Sequence, residues 1–145
     1  MSRPIVLDTN VVLDLLIFSD PATPPLEAAL AAGELQWIAT PVMREELARV
    51  LAYPHIVGRL AYYQLGAADV LAAFDRQALL VEVAPKAPMS CKDPDDQKFI
   101  DLAVAHQAPL LSKDHAVLKL RKRLTLHGVP VVTHYRALPT LEATP

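Results

Sequence analysis

Cysteine is almost absent from the sequence: Cys91 is the only one in 145 residues, so no intramolecular disulfide can form. That fits a reducing compartment, and a cytoplasmic location is the expectation. Glycine is scarce, with four residues against 13 prolines. Neither GxGxxG nor GxxxxGK[ST] occurs, which excludes the glycine-rich phosphate loops of dinucleotide and P-loop sites. Long apolar runs are missing too, and none approaches the roughly 20 residues of a membrane span. No secretory signal is visible, because Asp8, Asn10 and Asp14 interrupt the apolar stretch after Arg3. The net charge is only −2, so no global field draws the chain to nucleic acid or membrane. Any nucleic-acid binding must come from a local patch or a bridging metal.

What the chain does have is apolar material, 52% of its residues, enough for a real core. Its length predicts a single domain over 1–145. Short continuous apolar runs alternate with helical patterns. "PIVLD", "LQWIAT", "LLVEVA", "APLLS" and "VPVVT" read as strands. "TNVVLDLLIF", "LEAALAAG", "PVMREELARVLAY", "GAADVLAAFDRQA", "DPDDQKFIDLAVAH", "DHAVLKLRKRL" and a terminal "HYRALPTLEA" read as helices, while "HIVGRLAYYQ" is ambiguous. Continuous rather than alternating apolar strands argue for a sheet covered on both faces. The expected fold is therefore α/β: a three-layer α/β/α arrangement with a central, mostly parallel, doubly wound sheet. Ligands of such folds bind outside the carboxyl ends of the strands.

Four carboxylates are expected at that edge. In "KDPDDQKFIDLA", Asp93 suits a helix N-cap and Pro94 the first helical position, and acids in the first turn favour the helix dipole. Capping does not explain Asp96. At about 100° per residue it shares a face with Phe99, Ile100 and Ala103, the face that should be buried. Asp101 points the opposite way. Asp8 closes the first strand and Asp114 the fourth, and each also reads as an N-cap. In the helix from Pro41 the apolar stripe runs through Met43, Leu47, Val50 and Leu51. Glu45 lies opposite it, whereas Glu46 sits on its border.

Asp8, Glu46, Asp96 and Asp114 crowded together repel one another unless a positive charge intervenes. No lysine or arginine is in register to neutralise all four. A divalent cation does so, and an all-oxygen donor set without zinc-like Cys or His spacing predicts Mg²⁺ or Mn²⁺. One ion or two are both compatible with the residues. Such a site can activate water and stabilise displacement at phosphorus.

The segments "VLDTNVVLDLL", "TPVMREELARVL", "DPDDQKFIDLAVAHQAPLLSKDHAVLKL" and "VPVVT", in this order and spacing, resemble the PIN-domain (PilT N-terminal) ribonucleases, and in particular the toxins of toxin–antitoxin pairs. Matched by motif position, Asp8, Glu46, Asp96 and Asp114 fall on that family's acidic metal-binding quartet. Asn10 and Ser112 fall on supporting polar positions, and Asp93 is placed with them as a cap. Lys113 stands where many relatives have glycine. The resemblance implies a Mg²⁺- or Mn²⁺-dependent endoribonuclease acting on single-stranded RNA. It also implies a cognate antitoxin protein and a homodimer as partners.

The basic run Lys119, Arg121, Lys122 and Arg123, with Lys113, His115 and His127 nearby, reads as an RNA-backbone grip or as a solvated helix face. Arg44, Arg49, Arg59, Tyr62 and Tyr63 could extend such a surface. Trp37 is expected in the core, and Cys91 lacks the partners of a catalytic thiol. Two rival functions remain at this point: a receiver-like phosphoacceptor module with an acidic Mg²⁺ edge, and a catalytically silent RNA-binding PIN domain.

Overall fold

The computed structural model describes residues 2–18 and 21–135. The chain starts with strand β1 (Arg3–Leu7), whose Ile5 and Val6 are fully buried. Helix α1 (Thr9–Leu13) follows and passes into a π-helical turn at Asp14–Phe18. Helix α2 (Pro24–Ala31) takes proline in its first turn and is closed by Gly33 at φ 77°, a left-handed angle suited to glycine. Next come β2 (Leu35–Ala39), α3 (Pro41–Val50), α4 (Pro54–Tyr62), α5 (Ala67–Gln77) and β3 (Leu79–Leu80). A 3₁₀ turn (Pro94–Asp96) leads into α6 (Gln97–His106), and β4 (Leu110–Leu111), α7 (His115–Leu118), α8 (Arg121–Leu126) and β5 (Val131–Val132) complete the order.

These residues form a five-stranded sheet in the order β3-β2-β1-β4-β5, with every pairing parallel. The chain moves outward from β1 through β2 to β3, then returns across α6 to the other side of β1. Right-handed crossovers put the helices of these two halves on opposite faces, giving the expected three layers. The reversal falls between β1 and β4, and in folds of this kind ligands bind at such a point, outside the carboxyl ends of the strands. The core is built from Ile5, Leu7, Trp37, Phe99, Ile100, Leu110 and Leu111, all at most 2% exposed. Trp37 packs edge-on against Phe74 at 5.0 Å.

Two expectations need correction, and one ambiguity is resolved. "LLVEVA" pairs only at Leu79 and Leu80, plus Val81 N–H donating to Ala39 O. It is an edge strand whose Leu79, Leu80 and Val83 are exposed, so its apolar run does not report burial. "DHAVLKLRKRL" is not one helix. Its ladder tightens where Leu120 N–H donates to Val117 O, three residues back, and α7 and α8 separate there without proline or glycine. The ambiguous "HIVGRLAYYQ" is helical as α4, with Pro54 at its first turn. The terminal helix expected at "HYRALPTLEA" lies outside the described residues beyond Tyr135. No helix among the described residues is long and apolar enough to cross a membrane.

The long connection from β3 to α6 is pinned by side chains of α6. Gln97 accepts from Cys91 N–H at 2.6 Å and donates to Met89 O at 3.0 Å and to Asp101 Oδ1 at 2.9 Å. Asp101 also accepts from Ala87 N–H at 2.8 Å. Ala87, Met89 and Cys91 are buried as a result. Replacing Asp101 by Ala leaves the Ala87 N–H and the Gln97 amide short of an acceptor. The expected loss is about 1–3 kcal/mol in urea-denaturation stability, the cost of an unsatisfied buried donor.

Candidate functional site

Asp8 follows β1 and continues its ladder, its N–H donating to Leu111 O at 2.9 Å. Sheet pairing thus fixes its backbone, and its side chain is 3% exposed. Ser112, just past β4, is fully buried. Its hydroxyl donates to Asp8 Oδ2 at 2.6 Å and accepts from Asp114 N–H at 3.0 Å. One hydroxyl therefore ties the ends of the two central strands together. Asp114 caps α7, its Oδ1 accepting from Ala116 N–H at 2.8 Å.

The third acidic segment comes from the start of α6. Asp93 caps the 3₁₀ turn, its Oδ1 accepting from Asp95 N–H at 3.0 Å. Asp96 turns inward and is 8% exposed. Carboxylate oxygens of Asp93, Asp96 and Asp114 lie within 4.8 Å of one another. Among the described residues, Asp96 Oδ2 is the buried side-chain polar atom without a hydrogen-bond partner. Burial raises the Asp96 carboxyl to about 7, helped by the charges of Asp8, Asp114 and Asp93. Burial likewise raises Asp8, partly offset by the Ser112 hydroxyl and the Thr9 N–H, while Asp114 and Glu46 push it further up.

Glu46, from α3, lies outside that triad but lines a cleft with Asp8 and Asp96, and Glu45 on the same helix is exposed. Thr9 Oγ1 donates to Glu46 Oε1 at 2.5 Å, and Lys98 Nζ donates to Oε2 at 2.6 Å. Nothing in the local sequence pattern marks Lys98 and Thr9 as neighbours of Glu46. Lys98 is two residues from Asp96, a spacing at which helical side chains do not share a face. Only the fold brings it to Glu46, 52 positions away.

A cleft of about 700 Å³ lies beside α3 and α4, and of the clustered aspartates Asp96 lines it while Asp93 and Asp114 do not. Asp8, Asn10, Glu46, Asp95 and Asp96 line it, and so do Arg49, Tyr53, His55 and Arg59. The Arg59 guanidinium lies 4.5 Å from the centroid of the Phe18 ring. The Tyr53 and His55 rings sit 6.1 Å apart with 32° between their planes. The other basic candidates are placed elsewhere. Lys113 pairs with Asp14, and Arg44 with Asp75 at 2.7 Å. Lys119, Arg121, Lys122, Arg123, His115 and His127 are exposed and do not line this cleft. Tyr62 and Tyr63 pack edge to face beside Phe18.

A family model described as the PIN domain matches residues 4–116, a span holding Asp8, Glu46, Asp93, Asp96, Ser112 and Asp114. The chain belongs to the PIN-domain family. None of the curated proteins compared with it matches closely enough to count as a relative. PIN domains are generally nucleases and use a divalent metal ion. The donor set fits such an ion: hard carboxylate oxygens, close together, with one buried oxygen lacking any partner. This PIN domain spreads its acids over four segments, unlike the paired acids of a receiver module.

The raised Asp96 carboxyl sets a pH dependence. As pH rises from about 4, the unfolded chain releases this proton first, and the metal-free fold keeps it until about pH 7. Its stabilising contribution is complete below the unfolded value and is lost as pH rises through about 7. The melting temperature of protein in EDTA should therefore fall from pH 5 to pH 8. Asp96→Asn should flatten that fall, and the wild-type rise in melting temperature on adding Mn²⁺ should be larger at pH 8 than at pH 5.

Proposed function

We propose that this PIN domain, as one unit over 1–145, is an endoribonuclease that hydrolyses phosphodiester bonds of single-stranded RNA. Asp8, Asp96 and Asp114 hold Mg²⁺ or Mn²⁺, with Asp93 beside them. The observation that carries the reading is the buried, unpartnered Oδ2 of Asp96 among like charges. An aspartate kept there in place of a leucine has a positive partner as its physical rationale. When bound, the ion supplies Lewis-acid stabilisation of the phosphodiester and makes water a better nucleophile.

The chain's own residues do the rest. Ser112 fixes the orientation of Asp8 and, through the Asp114 N–H, the start of α7. Thr9 and Lys98 orient Glu46 on the cleft wall. Arg49 and Arg59 offer positive charge to phosphates flanking the reacting one, which a chain of net charge −2 must provide locally. Tyr53 and His55 offer ring faces to unpaired bases, which supports a single-stranded substrate. The toxin role, the cognate antitoxin and the homodimer rest on the likeness of the four motif segments to toxin PIN domains.

The test is cleavage of a labelled single-stranded RNA with Mn²⁺. Asp8→Asn and Asp96→Asn should each lower kcat by roughly two orders of magnitude or more, at least the loss seen on removing one electrostatic stabiliser. Undiminished cleavage removes them from the chemistry. Tyr53→Ala and Arg59→Ala should act mainly on KM, raising it about fivefold or more as a stacking or phosphate contact is lost. A change confined to kcat would place the substrate elsewhere.

A further inference from the structure

Glu46 differs from the aspartates of the cluster in having an ammonium among its partners. Thr9 holds Oε1 and Lys98 holds Oε2. The Lys98 ammonium is itself fixed on several sides. It donates to Glu46, donates to the backbone oxygen of Asp95, and lies 5.0 Å from the centroid of the Phe99 ring. Its side chain is 19% exposed and that of Glu46 15%. This is unlike a surface pair in open water, such as Arg44 with Asp75 at 36% and 48%. Asp95 adjoins Asp96, so the lysine is anchored to the turn that carries the buried acid.

We propose that Lys98 takes the place of a second metal ion in this site. Its ammonium neutralises Glu46, so one divalent ion, held by the aspartates, completes the centre. The inference rests on the nuclease reading and goes beyond it by fixing the ion count and the role of Glu46. Two-metal phosphodiesterase sites set two cations roughly 3.5–4 Å apart, one for the attacking and one for the leaving oxygen. Here the second positive charge is already supplied by the chain. An ion entering at Glu46 has to displace the ammonium and the Thr9 hydroxyl from a mostly buried position, leaving the lysine charge without its acceptor. An ammonium has three donors. Two are used, on Glu46 and Asp95, and the ammonium also faces the Phe99 ring.

The experiment is calorimetric titration of the full chain with MnCl₂ at pH 8 in the absence of RNA. Wild-type protein should bind one Mn²⁺. Glu46→Gln should also bind one, with affinity within about threefold of wild type, while Asp96→Asn should lose at least about tenfold. Lys98→Met should bind two, because Glu46 is then left without its cation, and Lys98→Arg should restore one. Two ions on wild-type protein overturn the proposal and leave the nuclease reading standing. So does a loss in Glu46→Gln equal to that in Asp96→Asn, or a single ion on Lys98→Met. No ion on wild-type protein overturns both readings together. The Glu46→Gln and wild-type titrations decide the matter even if a Lys98 variant fails to fold.

Discussion

Like charges held close together, with Asp96 buried among them, are the constraint on which this molecule turns. Two unit charges 4.8 Å apart repel by roughly 3 kcal/mol at an effective dielectric constant of about 20, and burial adds to the cost of ionising Asp96. A fold that is only marginally stable has no structural use for such a cluster. Every nearby feature works to keep the acids in place regardless. Asp8 is fixed by sheet pairing and by Ser112, Asp114 by its capping bond, and Asp96 by the apolar face of α6 around Phe99 and Ile100.

The topology explains why the cluster forms where it does. Winding outward from β1 and then returning to its other side puts the reversal beside β1, where Asp8 and Ser112 meet at the ends of the two adjoining strands. The acids arrive from four segments because four chain passages converge there. The Gln97–Asp101 clamp belongs to the same design, since it anchors the connection that delivers Asp93. Lys98 and Thr9 satisfy Glu46 within the protein, whereas the aspartates have no built-in cation.

Much of this was legible in the sequence. Apolar runs marked β1, β2, β4 and β5, because strands covered on both faces need no alternation. Helical periodicity singled out Asp96 and separated Glu46 from Glu45, because a face is a local property of 3.6 residues per turn. What escaped was non-local or energetically subtle. Lys98 meets Glu46 only through tertiary packing. The break between α7 and α8 involves a shift of hydrogen bonding at Leu120 that no helix-breaking residue announces. β3 looked buried because hydrophobicity alone does not distinguish an edge from a centre. The basic run of α8 was conspicuous by composition, yet the cations lining the cleft are Arg49 and Arg59, whose direction depended on how α3 and α4 pack.

The most direct measurement of the central claim is anomalous diffraction from crystals soaked in Mn²⁺. The account predicts an anomalous peak within bonding distance of carboxylate oxygens from Asp8, Asp96 and Asp114, at the reversal between β1 and β4. Full soaking with no peak among those oxygens, or a peak bound only at surface carboxylates, would contradict it.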